Sequence, residues 1–111
     1  IDRNNQFMTS YSEDLVRLEP YADKWAAFGW NVVEINGHDM NAIVDALEYL
    51  PPADNDRPTA IIAHTIKGKG VSFMERVLGW HAGSLSQTDM ERALKDVAAA
   101  WEAERSEVAC R

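Results

Sequence analysis

Pro58-Thr-Ala-Ile-Ile-Ala-His-Thr65, followed at once by Ile66-Lys-Gly-Lys-Gly70, is the stretch on which the fold turns. The apolar centre of this segment shows no clean polar alternation, as expected for a strand buried on both faces of a parallel sheet. Two glycines and two lysines then end the apolar pattern. In an α/β sheet a break of this kind marks the carboxyl end of a strand, where ligands gather.

Working upstream, the polar loop 53–57 separates this segment from Pro51-Pro52 and from a helix before them. Met40, Ile43, Val44 and Leu47 recur at helical spacing, and Asp39 stands where its carboxylate caps the helix start. Asn36-Gly37 is a turn signal, and Asn31-Val-Val-Glu-Ile35 before it is short and β-branched, which predicts another strand. Leu18, Tyr21, Ala22, Trp25 and Phe28 predict an earlier helix, with Pro20 in its first turn and Gly29 at its end. Ile1-Asp2 reads as the end of a buried strand, and a polar stretch without period follows it. Downstream, Thr88-Asp-Met-Glu91 matches a capping box, and Met90, Leu94, Val97 and Trp101 offer a face for burial on a last helix.

The expected elements are strands at 32–35 and 59–65 and helices at 20–28, 40–50 and 88–104. Their order implies an α/β fold, a parallel sheet flanked by helices and joined by right-handed crossovers.

A chain of 111 residues holds one modest domain, and 46% apolar with 26% charged residues fits a soluble globular protein. The formal charge of −7 argues against a nucleic-acid binder, which gains affinity by neutralising phosphate. No apolar run approaches the roughly 18 residues of a membrane span. Cys110 is the single cysteine, so an internal disulfide and a cysteine-based zinc site are excluded, and a reducing cytoplasm suits the chain. The start at Ile1, inside a strand, reads as that of a fragment.

Two segments fall at strand ends. In Thr65-Ile-Lys-Gly-Lys-Gly70, glycine permits positive φ and lysine offers charge to an anion; the loop is either a plain turn or an anion contact. The Walker A spacing is absent. Asn4-Asn5 is either a turn or part of a hard-cation site, since amide and main-chain oxygens suit Mg2+. His81, fourteen positions after Lys67, is either a packed or exposed structural residue beside Trp80, or placed to transfer a proton or donate a hydrogen bond near neutral pH. His38 reads as a structural residue whose imidazole helps to fix the turn, and His64 as a structural residue of the strand. The three histidines lie too far apart in sequence to suggest a zinc site.

Ile-Asp-Arg-Asn-Asn-Gln (1 to 6), Leu-Glu-Pro-Tyr-Ala-Asp-Lys-Trp-Ala-Ala-Phe-Gly-Trp (18 to 30), Asn-Gly-His-Asp (36 to 39), Thr-Ile-Lys-Gly-Lys-Gly-Val-Ser-Phe-Met-Glu (65 to 75) and Trp80-His81 occur in order. This ordered set resembles the N-terminal domain or subunit of transketolases, over residues 1 to about 98, and most closely the short, split kind. The resemblance implies that residues 1–111 are the later part of a single thiamine-diphosphate-binding domain whose Gly-Asp-Gly segment lies upstream. It also implies Mg2+ held by the Asn4 side-chain oxygen and the Gln6 main-chain carbonyl. Lys67 and His81 fall where the family places a lysine and a histidine near cofactor and donor sugar. The family commonly continues Trp-His with Gly, where this chain has Ala82 and then Gly83.

The implied activity is transfer of a two-carbon ketol unit from a ketose phosphate to an aldose phosphate, with sugar phosphates as substrates. The partner implied is the pyrimidine-binding half, which carries the activating glutamate, in a dimer or heterotetramer; the chain alone is expected to be inactive. Deoxyxylulose-phosphate synthase, a 2-oxoacid dehydrogenase E1 and a non-catalytic domain of the same fold are the alternatives.

Overall fold

The structure is a computed structural model describing residues 1–52 and 54–109, so Cys110 lies outside the described residues. Two compact units divide the chain, Ile1–Thr65 and the residues from Ile66 onward.

The first unit contains β1 (Asp2–Arg3), α1 (Ser12–Leu15), α2 (Tyr21–Ala27), β2 (Asn31–Asn36), α3 (Met40–Glu48) and β3 (Thr59–His64). The three strands form a parallel sheet in the order β1-β3-β2. The segment 58–65 is therefore the central strand, and its register runs from Asn31 opposite Thr59 to Asn36 opposite His64. Arg3 stands opposite His64 on the other side. Ile62, fully buried, and Ala60, 3% exposed, alternate along β3 as the apolar core of the described residues.

Both helices that contact β2 start and stop for local reasons. The Asp39 carboxylate accepts from the amides of Asn41 at 2.9 Å and Ala42 at 3.2 Å, which satisfies two orphan donors of α3. Pro20 is the N-cap of α2, one position before the first turn where the sequence suggests it. Gly29 follows the helix with φ +86°. Trp25 meets Trp30 edge to face, with ring centres 4.9 Å apart, and packs α2 against the start of β2. Arg57 Nε donates to the Gly29 carbonyl at 2.9 Å, tying the loop before β3 to the same corner.

The second unit contains the loop from Ile66, a 3-10 turn at Leu78–His81 and α4 (Gln87–Ala109). Two expectations are corrected here. The capping box of α4 is Ser86 with Asp89, not Thr88 with Glu91. Ser86 Oγ accepts from the Asp89 amide at 3.1 Å, Asp89 Oδ2 accepts from the Ser86 hydroxyl at 2.6 Å, and the Ser86 carbonyl takes the first helical bond from Met90. Both Ser-x-x-Asp and Thr-x-x-Glu fit the pattern, and the earlier one starts the helix because it adds two residues, and so two hydrogen bonds, to it. The face made by Met90, Leu94, Val97 and Trp101 forms at the expected spacing but is exposed, Trp101 by 60%. Periodicity reports where apolar side chains line up on a helix; it carries no information on what covers them. The stripe of α3 behaves likewise, with Met40, Val44 and Leu47 exposed.

No helix of the described residues is long and apolar enough to cross a membrane.

Candidate functional site

The carboxyl end of β1 runs straight into the first candidate segment. Asn5 takes a left-handed conformation, φ +64°, which asparagine tolerates better than most residues, and the chain turns there as a short antiparallel bridge forms between Gln6 and Tyr11. The flanking bonds, Phe7 amide to Ser10 carbonyl at 2.8 Å and Ser12 amide to Asn5 carbonyl at 2.9 Å, make Gln6 and Tyr11 a non-hydrogen-bonded pair. In such a pair each residue turns its own N–H and C=O away from the opposite strand. The Gln6 amide accordingly donates to Asn4 Oδ1 at 2.9 Å, and the Gln6 carbonyl leaves on that same side. The Asn4 amide oxygen and the Gln6 main-chain carbonyl thus share one side of the turn.

Asp2 completes this group. Its Oδ2 accepts from Asn4 Nδ2 at 3.4 Å, a long contact, and its Oδ1 accepts from the Thr65 hydroxyl. Gly37 belongs beside them: a Cβ on that residue would lie 2.5 Å from Thr65 Cγ2, so a side chain there would have to push the Thr65 methyl aside where the turn after β2 passes the end of β3. A cavity of about 110 Å3 opens at this end, lined among others by Asp2, Asn4, Gln6 and Ser12. It has room for an ion with a few waters and is smaller than the pockets of roughly 300 Å3 and more that enclose whole organic ligands.

Beneath the turn lies a side chain whose role the sequence reading missed. Arg3, in the stretch read as polar and aperiodic, is 5% exposed. Its guanidinium donates to Ser12 Oγ at 2.8 Å and to Glu13 and Glu19 at 2.7 Å each, and it lies over the ring of Tyr21. Glu19 is held below the usual glutamate range by the Tyr21 amide and then by Arg3. At Glu13 desolvation pushes upward, but the amides of Glu19 and Leu18 together with Arg3 outweigh it and leave the group lowered. The only advance signal was the presence of two glutamates ten and sixteen positions after an arginine.

His38 sits in the turn after β2, and His64 ends β3. The turn at His38 is fixed through its main-chain amide, which donates to Asn36 Oδ1 at 3.0 Å. His64 pairs with Glu34 at 2.7 Å across β2 and β3.

In the second unit the Lys67 and His81 regions come together. The chain folds back so that the Arg76 amide donates to the Lys67 carbonyl at 3.0 Å, and Lys67 Nζ donates to the Trp80 carbonyl at 3.2 Å, one residue before His81. The glycines make the fold-back possible. Gly68 (φ +79°) lies where a Cβ would sit 2.7 Å from the Met74 carbonyl oxygen, and Gly70 (φ +92°) donates its amide to Glu75 Oε1 at 3.0 Å. Phe73 meets Trp80 edge to face, Arg92 of α4 lies 4.5 Å over Phe73, and Asp96 accepts from both the amide and the hydroxyl of Ser72. His81 itself is exposed at the end of the 3-10 turn, not packed into an apolar site.

The two oxygens of Asn4 and Gln6 are hard, neutral donors. They fit Mg2+, which takes few protein ligands and fills its octahedron with water and phosphate oxygens. They do not form a protein cage: among the described residues no three His, Cys, Asp or Glu side chains gather as a metal group.

A family model described as the transketolase thiamine-diphosphate-binding domain matches residues 2–108. Among curated proteins the chain is 39% identical over 97 residues to one subunit of the apulose-4-phosphate transketolase of Phocaeicola vulgatus, covering 87% of this chain and 34% of that protein. It is 38% identical over 96 residues to the 6-deoxy-6-sulfo-D-fructose transketolase subunit SqwG of a Clostridium species, covering 86% and 34%. The apulose-4-phosphate transketolase subunit of the same name from Actinobacillus succinogenes is 35% identical over 96 residues, covering 86% and 34%. The chain thus spans about a third of the length of the curated relatives it matches.

Proposed function

The chain belongs to the transketolase family, through its thiamine-diphosphate-binding domain, and from that premise we propose that it is the Mg2+- and diphosphate-holding part of an enzyme that moves a two-carbon ketol unit from a ketose phosphate to an aldose phosphate. When bound, thiamine diphosphate supplies the carbanion chemistry of that exchange, while the protein binds, orients and tunes. The observation that carries the reading is the turn of Asn4 and Gln6, which brings an amide oxygen and a main-chain carbonyl to one side at the carboxyl end of a parallel strand.

Each residue then has a task. Asn4, through its side chain, and Gln6, through its main chain, hold Mg2+, which lets a chain of formal charge −7 accept an anionic cofactor. Lys67, held on the Trp80 carbonyl, sets a positive charge beside His81. The exposed imidazole of His81 holds a substrate hydroxyl or moves a proton at a ring nitrogen. The relatives are named as subunits, which supports a second polypeptide carrying the pyrimidine-binding half, in a dimer or heterotetramer. A cytoplasmic setting and sugar-phosphate substrates belong to the same reading.

Calorimetric titration of the full-length protein, assembled with its partner half, tests it. Asn4→Ala should weaken Mg2+-dependent thiamine-diphosphate binding by about 1–3 kcal/mol, the cost of a lost polar partner. Unchanged affinity in that variant removes Asn4 from the site.

A further inference from the structure

Mg2+ takes an asparagine only through its oxygen, and the two ends of an asparagine amide have nearly the same shape. A site built on Asn4 therefore has to solve an orientation problem. If the amide flips, it presents an NH2 group to the cation and the ligand is lost.

Two neighbours decide the orientation, and they agree. A main-chain amide can only donate, so the Gln6 N–H at 2.9 Å draws the oxygen. An ionised carboxylate can only accept, so Asp2 Oδ2 at 3.4 Å draws the nitrogen. Asp2 is itself held: its other oxygen takes the hydroxyl of Thr65, the residue that follows β3. Asp2 and Thr65 come together because β1 and β3 run parallel, with Asp2 opposite Ala63 and the Thr65 amide bonded to the Arg3 carbonyl. The chain of contacts is thus Thr65 to Asp2 to Asn4, and it ends on the oxygen that faces the Gln6 side.

We infer that Asp2 is a positioning residue, one that keeps the Asn4 amide oxygen turned toward the metal and its nitrogen turned away. The inference rests on the assignment of Asn4 as a Mg2+ ligand. Asp2 acts through Asn4 and does not itself bind the ion. Residues that orient a metal ligand typically change metal affinity by about 10- to 100-fold when removed. Here the contact to Asn4 is long, so the lower end of that range applies.

A cycle of variants in the full-length protein with its partner half provides the test, read by calorimetric titration of thiamine diphosphate at several Mg2+ concentrations. Asp2→Ala should weaken Mg2+-dependent binding about tenfold. In Asn4→Asp the ligand is a carboxylate with two equivalent oxygens, so nothing is left to orient. On that background Asp2→Ala should leave affinity within about twofold or improve it, because it also relieves repulsion between neighbouring carboxylates. An equal loss on both backgrounds, whether from direct ligation by Asp2 or from a general weakening of the sheet end, overturns the inference. Thermal unfolding of the apo proteins is measured alongside, and an affinity loss that follows only the melting temperature counts against orientation in the same way. Asn4→Ala separates this inference from its premise. If it weakens binding while Asp2→Ala does not, orientation is wrong and the ligand assignment stands. If Asn4→Ala leaves binding unchanged, both fall.

Discussion

Replacing Gly68 by alanine perturbs the fold-back that sets Lys67 beside Trp80, and the structure separates its cost into two parts. Gly68 has φ +79°, where an L-residue pays about 1–2 kcal/mol. Its new Cβ would also sit 2.7 Å from the Met74 carbonyl oxygen, 2.8 Å from the carbonyl carbon and 2.9 Å from Met74 Cβ. Two of those three atoms are main chain and cannot swing aside, so the loop must shift, at about 1–3 kcal/mol for an overpacked position. Gly70, two residues on, is the internal control, because its φ of +92° carries the first part while a Cβ there meets nothing within 4 Å. Gly68→Ala should therefore destabilise the loop by about 2–5 kcal/mol and Gly70→Ala by about 1–2 kcal/mol. Hydrogen exchange at the Arg76 amide reads the difference directly, since that amide donates to the Lys67 carbonyl across the fold-back. Local opening should become easier in Gly68→Ala by at least about 1 kcal/mol relative to Gly70→Ala. Equal protection in the two variants would refute the claim that Met74 closes this loop onto Gly68.

His81→Ala should lower kcat of the reconstituted enzyme by roughly 10²–10⁴-fold while the melting temperature and cofactor affinity stay near wild type; the exposed imidazole makes a stability effect beyond about 0.5 kcal/mol unexpected, and a fall in kcat under about threefold in a folded protein removes the catalytic role. Asp39→Ala deletes the cap of α3 and should cost about 0.5–2 kcal/mol in urea unfolding, with Asp39→Asn retaining most of it. Acid should loosen the Arg3 network: Glu13 and Glu19 both titrate lower folded than their ordinary value of 4.5, so their contribution is complete above that value and is lost as pH falls through the lowered folded ones. Thermal unfolding followed from pH 6 downward should show a steeper loss of stability below about pH 4.5 in wild type than in Arg3→Met.

Much of this molecule could be read from its sequence because the deciding signals were local. The strand at 59–64 followed from an apolar run ended by Lys-Gly-Lys-Gly, the strand at 31–36 from β-branched residues before Asn36-Gly37, and the start of α3 from the Asp39 cap. The sequence singles out Asn4 with Gln6 and Lys67 with His81; in the structure the Gln6 amide bonds to Asn4, and Lys67 bonds to the carbonyl of Trp80, one residue before His81. What stayed hidden depends on partners distant in sequence. Arg3 looks like any polar loop residue until Glu13, Glu19 and Ser12 are folded around it. Asp2 gave no signal for its contact with Thr65, sixty-three positions away. The exposure of the α4 stripe was equally invisible, because amphipathicity records a helix face and not its cover.

The alternation of β1 explains how one strand end can serve both purposes at once. Successive side chains point to opposite faces of a strand. Arg3 takes one face and gathers Ser12, Glu13, Glu19 and Tyr21 into a network that fixes where the chain goes after the sheet. Asp2, on the other face, reaches Asn4 and Thr65 and bears on how the Asn4 amide is turned. The two faces meet at Asn5, whose carbonyl accepts from the amide of Ser12, the same residue whose hydroxyl receives Arg3. On the proposed reading, a fault on the Arg3 face would move the whole turn and lower stability and metal affinity together. A fault on the Asp2 face would, on the same proposed reading, leave the turn in place and alter only which end of the Asn4 amide is presented. On that reading, the dipeptide Asp2-Arg3 separates the placing of the site from its chemical setting, one residue for each.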